Sequence, residues 1–185
     1  PLSLREARYA DARGGREGIG MRALVVGYGS IGKRRARDLM DLNVEIVTAD
    51  PGVAADEGDP LAAIRKHAPG NLVLVCSPSS EHVWQAMQAI DAGSLAILVE
   101  KPPAYGAGEW GLVASLAASR KVPVVVGFNY RYHPAVEYLR AQKKQVETVV
   151  ISAADDVMGW PAFGPNSYAC DPRYGGALMT SAVHA

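Results

Sequence analysis

The chain has 185 residues, room for one full domain and part of another. Its 19 basic and 19 acidic side chains cancel, so there is no electrostatic reason to expect nucleic acid or an anionic membrane as a partner. The two cysteines, Cys76 and Cys170, form no metal-ligand pattern, no metal is expected, and no apolar stretch is long enough to span a bilayer.

Residues 1–20 carry Arg5, Arg8, Arg13 and Arg16 among small and acidic residues. They lack the apolar centre of a secretory signal and are read as a leader or disordered tail without function, with Met21 as the natural start and the cytoplasm as the expected compartment. A short apolar run, Met21-Arg22-Ala23-Leu24-Val25-Val26, leads into Gly27-Tyr28-Gly29-Ser30-Ile31-Gly32, and residues 33–40 have helical spacing. In a Gly-x-Gly-x-x-Gly turn the first glycine permits a tight turn, the second lets backbone approach a pyrophosphate, and the third lets helix and strand pack closely. The spacing alone also suits an ordinary loop. What favours a nucleotide site is the context: strand before, helix after, and Asp50 at the end of a second apolar run, near the separation expected of an acid that holds ribose hydroxyls. A carboxylate there accepts bonds from the ribose and repels a 2′-phosphate, which favours NAD and leaves NADP possible; the alternative is a turn former before Pro51. Lys33, Arg34 and Arg35 read as a solvated helix face, or as a partial offset to that repulsion.

Further along, Asp59-Pro60 marks a capped helix start. Residues 71–76 read as a buried strand ending at Cys76, a small core residue. Ser77-Pro78-Ser79-Ser80 breaks it, residues 81–92 are helical, and Gly93 is the expected C-cap. Strands at 95–99 and 122–126 flank a helix at 108–120. Strands apolar on both faces, alternating with helices, predict an α/β doubly wound (Rossmann) parallel sheet over residues 21–128. The loops at Gly27, Asp50, Ser77, Glu100 and Phe128 are then expected to line one crevice. Residues 134–144 read as a crossing helix, 146–153 as a strand and 175–184 as a helix, so 129–185 is expected to begin a second, incomplete α+β domain for substrate binding and oligomerisation.

Several stretches together resemble the glucose–fructose oxidoreductase / inositol dehydrogenase (Gfo/Idh/MocA) family. They are the glycine turn with Lys33-Arg34, Ser77-Pro78-Ser79-Ser80-Glu81-His82, Glu100-Lys101-Pro102, Gly127-Phe128-Asn129-Tyr130-Arg131-Tyr132-His133-Pro134, and Gly175-Gly176-Ala177-Leu178 leading to His184. The resemblance implies an oxidoreductase passing hydride between nicotinamide and a secondary hydroxyl or ketone of a sugar, sugar nucleotide or cyclitol, and a homo-oligomer for the full-length protein. It implies nucleotide contacts from Gly27, Tyr28, Gly29, Ser30, Ile31, Gly32, Asp50, Ser77, Pro78, Glu100, Lys101, Pro102 and Asn129. His82 reads equally as a nucleotide contact or a helix cap. Lys101 is implied as the catalytic lysine, its ammonium stabilising alkoxide character as hydride leaves carbon. His184 is implied as general acid/base, with Tyr130, Arg131 and Thr180 beside the substrate; Tyr130, like Tyr132, reads equally as interdomain packing. Thr180 departs from the family, many of whose members carry Asp at that place, and Ser167-Tyr168-Ala169-Cys170 stands where a Trp-Arg pair is common. The competing readings are a non-catalytic nucleotide-binding or regulatory module, an inactive truncated dehydrogenase, and an S-adenosylmethionine-dependent transferase, which has no need of Glu100-Lys101-Pro102.

Overall fold

The computed structural model describes residues 20–142, together with 148 and 150. The expected strand at 146–153 and helix at 175–184 lie outside the described residues. Five strands, β1 (Arg22–Val26), β2 (Glu45–Ala49), β3 (Leu72–Val75), β4 (Ala96–Val99) and β5 (Val124–Val126), alternate with helices α1 (Ser30–Met40), α2 (Pro60–His67), α3 (His82–Asp91) and α4 (Ala107–Arg120). A short turn of 3-10 helix, Asn129–Tyr132, then leads to α5 (Pro134–Ala141).

All four strand pairings are parallel, in the order β2-β1-β3-β4-β5. The chain winds outward from β1 to β2, then crosses back over β1 to build β3, β4 and β5. The order therefore reverses between β1 and β3, the switch point at which open α/β sheets bind ligands. Because successive strand residues point to opposite faces, one run can serve two cores. Leu24 and Val26 pack with Ile64, Ala86, Ile90, Val113 and Ala117, against α2, α3 and α4. Ala23 and Val25 pack with Ala36, Leu74 and Cys76 on the opposite face, under α1. Burying one such Val, Leu or Ile side chain stabilises the fold by roughly 1.5–3 kcal/mol, which is why both strand faces are apolar.

The punctuation acts as its chemistry dictates. Asp59 Oδ1 accepts hydrogen bonds from Leu61 N at 2.8 Å and Ala62 N at 3.2 Å, with Pro60 at the first helical position. Gly93 takes φ +82° just beyond α3. Most boundaries shift by a residue and β5 begins at Val124 rather than at 122, but the largest shifts are two. Helix α1 begins at Ser30, not Lys33, so Gly32 is itself helical, and α5 ends at Ala141, short of the expected 144. Among the described residues no helix is long and apolar enough to cross a membrane.

Candidate nucleotide and hydride-transfer site

The parallel sheet brings the loops at Gly27, Asp50, Ser77, Glu100 and Gly127 to one edge, and the backbone ladder continues into them. Gly27 N donates to Ala49 O (2.8 Å), Cys76 N to Val26 O (2.7 Å), Glu100 N to Val75 O (2.9 Å) and Gly127 N to Val99 O (2.8 Å). The three motif glycines meet three different constraints. Gly27 has φ +87°, and a Cβ there would collide with the backbone of Cys76 and Ser77. A Cβ on Gly32 would collide with the Gly27 carbonyl oxygen. A Cβ on Gly29 would meet nothing within 4 Å, so the space in front of it is open. Gly29 also caps α1 with no side-chain hydrogen bond. A helix N-terminus facing open space, lacking a side-chain cap, is suited to hold an anion such as a pyrophosphate. Tyr28 leans under the Lys33 ammonium, 5.7 Å from its ring centre. Ser30 and Ile31 open the helix, with Ile31 packed against the core under α1.

Asp50 follows β2 as expected and binds backbone. Its Oδ2 accepts from Tyr28 N at 2.7 Å; its Oδ1 accepts from Gly52 N at 2.7 Å and Val53 N at 3.1 Å. The carboxylate thus clamps the glycine turn and shapes its own loop, while Oδ2, with one bond accepted, keeps lone-pair capacity for a hydroxyl donor. Behind it, Asp56 Oδ2 accepts from Thr48 N and Oγ1, both at 2.8 Å, and these bonds hold its carboxyl below the ordinary range. A shallow groove of about 400 Å³ runs along this flank, past Tyr28, Ile46, Thr48 and Asp56.

The Glu100-Lys101-Pro102 turn leaves β4. Lys101 is half-buried, and its burial holds the ammonium below the ordinary lysine range against the opposing pull of Glu100. The Lys101–Pro102 peptide is cis. Glu100 is buried, and its Oε1 accepts from Arg35 Nε at 2.7 Å and from a terminal guanidinium nitrogen at 2.6 Å. Burial disfavours the Arg35 charge, but Glu100 more than offsets this and the guanidinium sits above its ordinary value. The solvated-face reading of Arg35 is therefore corrected: the side chain points inward from α1 and ties the glycine-loop helix to the lysine turn. Gly127 makes room for this joint, since a Cβ there would stand 3.0–3.1 Å from the Glu100 carboxylate.

The loop after β3 is held from α3. Ser77 Oγ donates to Gln85 Oε1 at 2.6 Å. Pro78 is exposed at the start of the 3-10 turn Ser79–Glu81. His82 is buried, with Nδ1 2.8 Å from Pro102 O and Nε2 2.8 Å from Ser77 O. Both ring nitrogens thus face carbonyls of the protein, not the open crevice. Burial holds the His82 pKa below the ordinary histidine range, although both carbonyls and the carboxylates of Glu100 and Glu81 favour the charged form. Cys76 is buried among apolar side chains, which pushes its thiol up to about 12 and suits the core role. Asn129, Tyr130 and Arg131 form the exposed 3-10 turn after β5, where the Tyr130 and His133 rings meet edge to face at 6.5 Å. Thr180 and His184 lie outside the described residues.

Among the described residues no cluster of three metal-ligating side chains occurs. The glycine turn, Asp50 and the lysine turn are visible as motifs. The roles of Arg35 and Gln85 are not, because each acts through a partner 65 or 8 residues away, and Gly127 is visible as part of its motif but not as the space left for Glu100.

The family model described as the oxidoreductase family with an NAD-binding Rossmann fold, GFO_IDH_MocA, matches residues 21–128. An uncharacterized oxidoreductase of Synechocystis sp. is 33% identical over 122 residues, 60% of this chain and 31% of that protein. The apo scyllo-inositol dehydrogenase from Lactobacillus casei aligns with a TM-score of 0.59 and 20% identity, over 68% of this chain and 41% of its own. The WlbA dehydrogenase from Chromobacterium violaceum, in complex with NADH and UDP-GlcNAcA, aligns with a TM-score of 0.61 and 19% identity, over 70% and 41%. The chain thus spans well under half the length of these relatives, and at such identities the solved structures speak to the fold alone. Together with the reversed strand order at the glycine turn, the match over residues 21–128 is decisive: the chain belongs to the GFO_IDH_MocA oxidoreductase family, with an NAD-binding Rossmann fold.

Proposed function

We propose that this chain is the nucleotide-binding portion of an NAD(P)-dependent dehydrogenase acting on a secondary hydroxyl or ketone of a sugar, sugar nucleotide or cyclitol. The observation that carries the reading is Lys101: an ammonium half-buried at the carboxyl end of β4, joined through Glu100 and Arg35 to the helix that opens at the glycine turn. Nicotinamide, when bound, supplies the two-electron hydride chemistry. The chain's own residues do the rest. The glycine turn and the first turn of α1 anchor the pyrophosphate. Asp50 receives the ribose hydroxyls, which favours NAD over NADP. Lys101 stabilises negative charge on the substrate oxygen as the carbon–hydrogen bond breaks, and a partly desolvated ammonium does this better than a solvated one. His184 takes the hydroxyl proton in oxidation and returns it in reduction, with Thr180 beside it, and Tyr130 and Arg131 contact the substrate. Residues beyond the sheet belong to a substrate and oligomerisation domain, and the whole protein works as a homo-oligomer.

The test is Lys101→Met in the full-length protein, assayed by nicotinamide absorbance over a panel of sugars, sugar nucleotides and cyclitols. Turnover is expected to fall by about 10²–10³-fold, the usual cost of removing one transition-state charge partner, with NADH affinity unchanged. Turnover equal to the parent's would overturn the assignment.

A further inference from the structure

His82 opens α3 and is 1% exposed. Its two ring nitrogens each lie 2.8 Å from a carbonyl oxygen, Nδ1 from Pro102 and Nε2 from Ser77. Carbonyls only accept, and a neutral imidazole has a single N–H, so the neutral ring can satisfy one of the two. The contact with Pro102 is fully buried, whereas that with Ser77 is partly open to solvent. Water can replace the ring at Ser77 but not at Pro102, and a buried acceptor left unpaired is the costlier loss. The neutral ring therefore carries its hydrogen on Nδ1, and the charged ring carries one there as well, so Nδ1 donates to Pro102 in either state. Gln85, one helical turn on, holds Ser77 by its hydroxyl, so the first turn of α3 grips two loops of the crevice at once.

We propose that His82 is a positioning residue for Lys101: its Nδ1–H holds the Pro102 carbonyl and fixes the lysine turn, and the ring does not touch the nucleotide. This rests on the reading of Lys101 given above. The proton position comes first, from the ¹⁵N shifts of His82 in the unaltered chain; a hydrogen on Nδ1 is expected, and an Nε2–H tautomer would overturn the proposal. Two variants separate the contacts. The His82→Asn amide nitrogen falls near the position of Nδ1, and that of His82→Gln near Nε2. His82→Gln is expected to speed deuterium exchange across residues 99–106 by about 10-fold. In the full-length protein it should lower kcat by about 10-fold or more, since small displacements of a catalytic group are costly, with the NADH Kd unchanged. His82→Asn should recover most of both losses. Equal exchange in the two variants, or an NADH Kd raised about 10-fold in both, would count against the proposal. Absence of turnover in the unaltered full-length protein would sink the dehydrogenase reading instead, and the ¹⁵N and exchange results would still decide the clamp.

Discussion

The glycine turn and the lysine turn sit at the same edge of the sheet but are built from different materials. At Gly27–Gly32 the working parts are backbone: a left-handed φ, two places where a Cβ cannot exist, one where it would meet open space, and uncapped amides at a helix start. At Glu100–Pro102 the working parts are side chains that converge from elsewhere. Arg35 comes from α1, His82 from α3, and Gly127 stands aside after β5. A backbone-built site depends on sterics and tolerates almost any neighbour. A side-chain-built site depends on charge balance and fails when one partner is removed.

The largest effect expected from breaking this contrast is at Gly27. Gly27→Ala combines left-handed strain with a collision against the Cys76–Ser77 backbone and should cost about 2–5 kcal/mol in urea unfolding. Gly29→Ala is its control, expected to leave stability within about 0.5 kcal/mol while weakening NADH binding, because only a ligand would occupy the space in front of it. An equal stability cost at the two glycines would erase the distinction.

On the side-chain side, Arg35→Met strands the Glu100 carboxylate in the interior. A fully buried pair broken in this way loses about 3–5 kcal/mol; Arg35 is partly exposed, so screening reduces the expectation to about 2 kcal/mol. Glu100→Gln should cost less, about 1 kcal/mol, since the guanidinium left behind can reach water. The reverse order in paired unfolding measurements would mean that Arg35 is the more deeply committed partner. The smallest effect belongs to the Asp56–Thr48 clasp. Its folded pKa is depressed, so its contribution is present above the ordinary carboxylate range and lost as pH falls through the lowered value. Asp56 is exposed and its share is only a few tenths of a kcal/mol. Unfolding followed from about pH 5 to pH 2 should show a slightly shallower acid loss in Asp56→Asn than in the parent.

The same division explains what is legible in the sequence alone. Repeating apolar strands, the Asp59-Pro60 cap and Gly93 were legible because each acts within a few residues of itself. The sequence pattern puts the start of α1 three residues late because Gly32 looks like a loop residue until the Gly27 carbonyl is seen against it. Arg35 looked like one more charge on a basic helix face. Its partner lies 65 residues away, and no local pattern records that distance. His82 could be read as a cap or a nucleotide contact because sequence spacing says nothing about which way a ring turns.

By itself, then, the sequence determined the alternation of strands and helices, the parallel sheet and the glycine turn, since periodicity, propensity and steric need are local properties. Only the tertiary structure decided that Arg35 pairs with Glu100, that Asp50 clamps the glycine turn 22 residues before it, and that His82 grips the lysine turn from behind. The reason is physical. Hydrogen bonds and ion pairs between distant segments exist only once the sheet has brought its five loops to one edge, and which partner each charge finds is settled by burial and distance there.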